Sequence, residues 1–455
     1  MDKLISVGLD VGTTTTQLVL SELGVENRGN AFTVPQMVIG ERKILYQSPV
    51  IFTPLISGEL VDGQAIAKWV DEQYLAAGIT KAQVDTGAVI ITGETSRKEN
   101  AKEVLNHLAG FAGEFVVATA GPDLESVLSA KGAGATDYSA QTGKTVLHMD
   151  IGGGTSNLSW IENGKILRTG CLNVGGRLIK FDDAGKVTYL SPVLEGLTDL
   201  RLGEVPTKSR LQTVAEQLVE ALRMAAGLLP PTDLLYKLTT KENAKAWYPE
   251  RPEVISFSGG VADCIEEEGS PFAYGDIGVL LGRAIRESDL CENYRLGEQT
   301  IRATVIGAGC HSTQLSGSTV FYADVKLPQK NLPVAVLTMP ITPETVKTAC
   351  LGQDGETIVL AIPGRLSLDY EQIKALAKAL LAGSRGELLV CLEADVAKAL
   401  GHCIRLAEPS RPCLCMDGLY LENESFLDIG TPVGPALPVV IKTLVLSTEG
   451  NRGTG

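Results

Sequence analysis

Two apolar runs in this chain each close on an aspartate and then break into glycines and threonines: Gly8-Leu9-Asp10-Val11-Gly12-Thr13-Thr14-Thr15 and His148-Met149-Asp150-Ile151-Gly152-Gly153-Gly154-Thr155. The first begins in Leu4 to Leu9, whose alternation of apolar and small residues predicts a strand, and resumes in Gln17 to Leu20. A strand, a tight glycine turn and a second strand make a β-hairpin. The second copy repeats the plan, with Thr145 to Met149 as strand and Gly152 to Thr155 as tip. Each tip offers consecutive backbone N–H groups and small hydroxyls, which can close around phosphate oxygens as an anion-binding concavity. Glycine lets the backbone come near. Gly12, Thr13, Thr14 and Thr15 on one side, with Gly152, Gly153, Gly154 and Thr155 on the other, therefore read as a split phosphate cradle. Asp10 and Asp150 would face each other across a triphosphate as hard oxygen donors, which Mg2+ accepts, usually through retained waters.

A third apolar strand, Val254 to Ser258, ends in Gly259-Gly260 and is followed by helical spacing from about Gly275 to Ile285. Two stretches rich in small residues suit close helix crossing: Leu124 to Ala135, with Gly132-Ala133-Gly134-Ala135, and Thr304 to Cys310, with Gly307-Ala308-Gly309. In this order the elements resemble the phosphate-1, phosphate-2, adenosine and connecting-helix elements of the actin, Hsp70 and sugar-kinase ATPase superfamily, over residues 3 to 315. The resemblance implies an α/β fold, with duplicated ribonuclease H-like, actin-type ATPase domains around a nucleotide cleft and an additional C-terminal α/β region.

Within that superfamily, the stretches GLDVGTTTTQLVLSEL, VIITGETSRKENA, MDIGGGTSNLSWI and ISFSGGVAD resemble the ethanolamine ammonia-lyase reactivating factor family. That likeness implies an ATP-dependent factor whose partner is the adenosylcobalamin enzyme ethanolamine ammonia-lyase. Such factors help a damaged cobalamin leave so that intact coenzyme can enter. It also implies ethanolamine utilisation and a cytoplasmic setting near a bacterial microcompartment. By the superfamily pattern, Asp10 and Asp150 organise Mg2+, and Gly259 and Gly260 admit the adenosine of ATP. The Hsp70 pattern places a water-positioning acid at the start of the first connecting helix, which is Asp123 here, with Glu125 as the alternative. The lysine of the Hsp70 first lobe has no clear counterpart, and slow turnover would suit a switch. A small-molecule kinase of the same superfamily is the alternative; it should carry an aspartate base, and none stands out beyond the metal carboxylates.

Composition narrows the partners. The net charge of -14, with no basic stripe, argues against nucleic acid, because a phosphate backbone demands concentrated Lys and Arg. The apolar window Leu437 to Leu446 is too short for a membrane span and carries Lys442. A strand is expected to begin within three residues of Met1, and with it no signal peptide is expected. Nine scattered cysteines fit a reducing compartment. His402-Cys403 with Cys413 and Cys415 lacks standard zinc spacing, so packing is the expectation. Cys310-His311 likewise reads as packing beside the second connecting helix.

Three regions are expected: a first ATPase lobe over 1–140, a second over 141–315, and a C-terminal α/β region over 316–455 that could bind a partner. The first lobe should add a third strand near Ile44 to Phe52, a helix at Gln64 to Ala76, and a β-α-β run from Ala88 to Thr119. Gly132 to Gly143, rich in Gly, Ser, Thr and Ala, reads as a hinge or loop. Phe181 to Val205 reads as an insertion with a hairpin, and Leu211 to Leu228 as an amphipathic helix. The C-terminal region shows α/β texture without a catalytic signature.

Overall fold

The structure is a computed structural model. It describes residues 2–12, 15–27, 37–57, 60–92, 100, 104, 108, 117–119, 122–240, 251–267, 269–311, 313–316, 320–350, 357–364, 368–419, 421, 425–432 and 437–443. Two sheets share one topology. In the first, the strand order is Met37–Gln47, Thr15–Asn27, Asp2–Val11, Thr86–Ile91, Val117–Thr119. In the second it is Lys165–Leu172, Ser156–Glu162, Val146–Ile151, Val254–Ser258, Tyr294–Leu296. Each sheet opens with an antiparallel meander and continues with strands parallel to its first strand. The fold is thus α/β with a duplicated ribonuclease H-like unit.

Alternation of small and apolar residues explains why the first strand has two buried faces. Val7, Leu9 and Val11 pack with Ile66, Trp69 and Val70 of the helix Gly63–Ala77, which Asp62 caps by accepting from the Ala65 N–H. Leu4 on the other face joins Val305 and Ile306. The corresponding outer cover of the second sheet comes from Lys208–Ala225 and Gly278–Arg286, which bury Leu218, Leu222, Leu281 and Ile285 against Leu147, Met149 and Phe257.

The inner covers are exchanged. Helix Pro122–Gly132 follows the first sheet but lies on strands of the second, whereas helix Ala303–His311 follows the second sheet and lies on the first. The two helices cross where only glycine fits. A Cβ on Gly132 would lie 1.8 Å from the Ala303 carbonyl oxygen, and one on Gly307 would lie 2.0 Å from that of Leu128. Gly8 and Gly309 make a comparable backbone contact between strand and helix, and Ser6 Oγ donates to the Gly309 carbonyl.

Two expectations need correction. Ala135–Thr142 is a helix and not a loop, set off by Gly134 and Gly143 in left-handed conformation at its two ends. The third strand runs over Met37–Gln47, earlier than the apolar run suggests, and Ile51–Phe52 is a separate short strand pairing with Thr15 and Thr16. Pro49, which cannot donate to a ladder, lies between them. A hairpin, Ile179–Phe181 with Val187–Leu190, straddles the start of the expected insertion, beginning two residues before Phe181. Of the helix expected inside the run from Ala88 to Thr119, at Glu99 to Ala109, only residues 100, 104 and 108 are described, and Val104 and Leu108 are buried.

The remaining residues build an eight-stranded mixed sheet. Its middle is four parallel strands, Gln329–Val336, Val359–Ile362, Leu388–Leu392 and Cys413–Met416. Helices Pro343–Cys350, Tyr370–Gly383 and Ala397–Ala407 connect them in turn. Those helices bury Leu376, Leu380, Leu400 and Ile404 against Leu360, Val390 and Cys415 on one face. Cys403, Cys413 and Cys415 are buried, and His402 packs edge-on against Phe321. Among the described residues no group of three or more His, Cys, Asp or Glu is placed to hold a metal, and no helix is long and apolar enough to cross a membrane.

The helix crossing gives a signed test. In an ordinary helix, Gly132→Ala would gain up to about 1 kcal/mol from propensity. Against the Ala303 carbonyl it is expected instead to lose about 1–3 kcal/mol by overpacking, read from urea unfolding. A variant as stable as the parent would mean that the helices do not meet this closely.

Candidate functional site

The two hairpin tips are closed in the same way. Gly12 N–H donates to the Thr15 carbonyl at 2.9 Å, and Gly152 N–H donates to the Thr155 carbonyl at 2.9 Å. These bonds use the first N–H of each tip. Gly154 is exposed, and a Cβ there would meet nothing within 4 Å. Thr15 is half-buried; Thr13 and Thr14 lie outside the described residues. Gly259 has φ +86°, and a Cβ on it would lie 2.4 Å from the Ile151 carbonyl oxygen, so the third glycine element presses directly on the second loop. Gly260 opens the short helix Gly260–Asp263 beside Ile301.

Asp10 and Asp150, at the ends of the two central strands, are 7% and 6% exposed. Thr92 Oγ1 donates to Asp10 at 2.9 Å. Ser258 Oγ donates to Asp150 Oδ1 at 2.5 Å, and Thr304 Oγ1 reaches Oδ2 at 3.4 Å. Ser258 also meets His148 Nε2 at 2.9 Å, while His148 Nδ1 meets Ser256 at 3.1 Å. Burial holds His148 down to about 3, helped by the charge of Arg295, so the imidazole is neutral. Burial lifts Asp10 to about 7; the Thr92 hydroxyl opposes the rise and the negative charge of Asp150 reinforces it. Burial likewise lifts Asp150 to about 6 against its two hydroxyl donors. Two carboxylates held out of water beside each other call for a cation.

Two amides missed in the sequence complete the pattern. Gln17 is paired with Asp10 across the first hairpin, and Asn157 with Asp150 across the second. Opposed residues of an antiparallel pair share a face. Gln17 Nε2 donates to the Ile301 carbonyl at 2.9 Å, yet Gln17 Oε1 and Asn157 Oδ1 are buried without a hydrogen-bond partner. Native interiors rarely leave such oxygens unmet. The signal was present as an equal seven-residue step from aspartate to amide in both motifs.

Two buried carboxylates, each with an unpartnered amide oxygen on the residue opposite it in its hairpin, offer oxygen donors, the kind that suits Mg2+ and its waters. Asp123 is the second residue of helix Pro122–Gly132, with its side chain outside the described set; Glu125 is half-buried on the same helix.

The acids also shape stability. Relative to the ordinary carboxyl value of 3.8, both hold a proton more tightly when folded. The folded chain therefore binds more protons than the unfolded chain between about pH 4 and 7, and stability falls as pH rises through that window, by at most about 1.4 kcal/mol per unit for each group. Asp10→Asn removes one ionisation. It is expected to be more stable than the parent at about pH 8 and to decline less steeply from about pH 5, as measured by urea melts without nucleotide. A decline as steep as the parent's would overturn the assignment.

Comparison with known proteins places this architecture. The family described as "Ethanolamine utilisation protein EutA" matches residues 2–447. The chain is similar to a Salmonella typhimurium protein named "Ethanolamine ammonia-lyase reactivase EutA", 38% identical across 97% of this chain and 98% of that one. An Escherichia coli protein of the same name is also 38% identical, with the same shares covered. Among solved structures it is similar to the Aquifex aeolicus member of the Ppx/GppA family, at 13% identity over 67% of this chain and 97% of that one, with a TM-score of 0.42. With a family match over nearly its whole length and two relatives at this identity, the chain belongs to the EutA family.

Proposed function

We propose that this protein is an ATP-dependent reactivase of ethanolamine ammonia-lyase, driven by a Mg-ATP cleft between the two duplicated lobes. The observation that supports it most directly is the pair of buried aspartates, each at the root of an equivalent glycine-threonine hairpin, in a chain whose relatives carry the reactivase name. In this proposal Asp10 and Asp150 hold Mg2+, with Gln17 and Asn157 accepting from its water shell. Bound there, the ion would neutralise phosphate charge. Phosphate oxygens and retained waters would supply the rest of its shell.

The chain's own groups do the remaining work. Gly153, Gly154, Thr13, Thr14, Thr15 and Thr155 donate to phosphate oxygens, where backbone donors count most against developing charge. Gly12 and Gly152 hold the tips in shape. Gly259 and Gly260 let adenosine approach the backbone. Asp123, or Glu125 from the same helix, orients the attacking water. The His148, Ser256 and Ser258 chain fixes Asp150 without adding charge.

Exchange of the nucleotide would change how the two lobes sit, and the lyase would feel the change through an exposed face. Turning such a complex from mostly bound to mostly free takes about 5.5 kcal/mol of differential affinity. In this proposal ATP clamps the two lobes and ADP loosens them, and the difference would let damaged cobalamin leave the lyase.

The test is recovery of ethanolamine ammonia-lyase inactivated with cyanocobalamin, given fresh adenosylcobalamin, Mg2+ and this protein, with and without ATP. Recovery is expected only with ATP, and Asp10→Ala should reduce it by about 100-fold or more, the scale of losing a well-placed electrostatic contact. Intact nucleotide binding without any recovery would sink the reactivase assignment while leaving the cleft in place.

A further inference from the structure

The contact that joins the two loops lies outside the phosphate motifs. After the second hairpin, Gly175 and Gly176 tuck beneath the loop: Gly176 N–H donates to the Gly152 carbonyl at 3.0 Å and Arg177 N–H to that of Gly153 at 2.6 Å. A Cβ on Gly175 would lie 2.4 Å from the Gly153 oxygen, so the glycine is what permits this wrap. Arg177 then runs its side chain along Gly153, its Cδ 3.3 Å from where a Cβ there would sit. Its Nε is 3.3 Å from Asp276 Oδ2, and its guanidinium carbon stands 5.5 Å from the Phe52 ring centroid.

Phe52 belongs to the opposite lobe. It pairs with Thr15 at the base of the first tip, and 74% of its surface is exposed. One guanidinium therefore reaches from the Gly153 loop to the edge of the Thr15 loop, across the interval where a polyphosphate would lie. A solvent-facing ring holds a cation weakly. A phosphate offers a planar guanidinium charge-assisted, two-pronged bonds. Asp276, the other partner, also accepts from the Gly278 N–H at 2.8 Å, a bond that does not involve the arginine.

We infer that Arg177 tells ATP from ADP: it leaves the Phe52 face to bond the terminal phosphate, and returns when that phosphate is gone. The cross-cleft contact is thus made and broken with nucleotide state. This rests on the Mg-ATP assignment of the cleft and supplies the cation for which the first lobe has no clear lysine.

Calorimetric titration with Mg-ADP and with Mg plus a non-hydrolysable ATP analogue tests it. Arg177→Ala is expected to weaken the analogue by about 10- to 100-fold and ADP by less than about threefold. Arg177→Lys, which keeps charge but loses the fork, should fall between parent and alanine variant, and it serves if Arg177→Ala melts early. Phe52→Ala, lacking the ring alone, should keep the parent's preference for the analogue. Equal losses for both nucleotides, or no loss for either, would overturn the inference. A parent protein that bound neither nucleotide would instead remove the ATP assignment beneath it.

Discussion

The cost of keeping Asp10 and Asp150 out of water sets the terms for everything around them. An isolated buried carboxylate is expensive, and a second one nearby makes it more so. The chain offsets part of this with hydroxyls from three different segments: Thr92 to Asp10, and Ser258 and Thr304 to Asp150. Placing those hydroxyls demands that the ends of Thr86–Ile91 and Val254–Ser258, the start of helix Ala303–His311 and both hairpins all meet at one point. The lobes therefore cannot be regarded as two sheets that happen to share a cleft. They converge on a charge problem that neither solves alone, and that a divalent cation with phosphates would solve.

Neutral partners matter as much as charged ones. His148 stays uncharged between two serines, so it orients Ser258 without adding a charge beside Asp150. On the first side, Gln17 is anchored by the Ile301 carbonyl, which precedes the helix that covers its own sheet. Local hairpin register and long-range helix placement are thus coupled through one amide.

Much of this was legible before the fold. Alternation in Leu4 to Leu9, the Asp–Gly–Thr tips and the small residues of the crossing helices each carry a local physical signature, and the structure places hairpins and a helix crossing there. What escaped was whatever depends on neighbours distant in sequence. Gln17, Asn157 and Arg177 are ordinary polar residues until register or a wrapped loop sets them beside the cleft. The helix Ala135–Thr142 was hidden because its capping glycines look like loop residues. Met37–Gln47 escaped because the edge strand carries Glu41, Arg42 and Lys43 at exposed positions and shows little alternation. In the C-terminal sheet, strand order follows from connections and not from any one strand's composition.

The exchange of inner helices has a consequence for the chain as it leaves the ribosome. Residues up to Ile91 can pair into most of the first sheet, but the face bearing Leu4, Val19 and Leu23 stays uncovered until Ala303–His311 has been synthesised. At about 5–20 residues per second that wait is on the order of ten seconds or more. Throughout it an apolar face with a glycine groove is open to solvent and to other nascent chains. The first lobe is thus born incomplete, and its maturation is timed by the translation of the second.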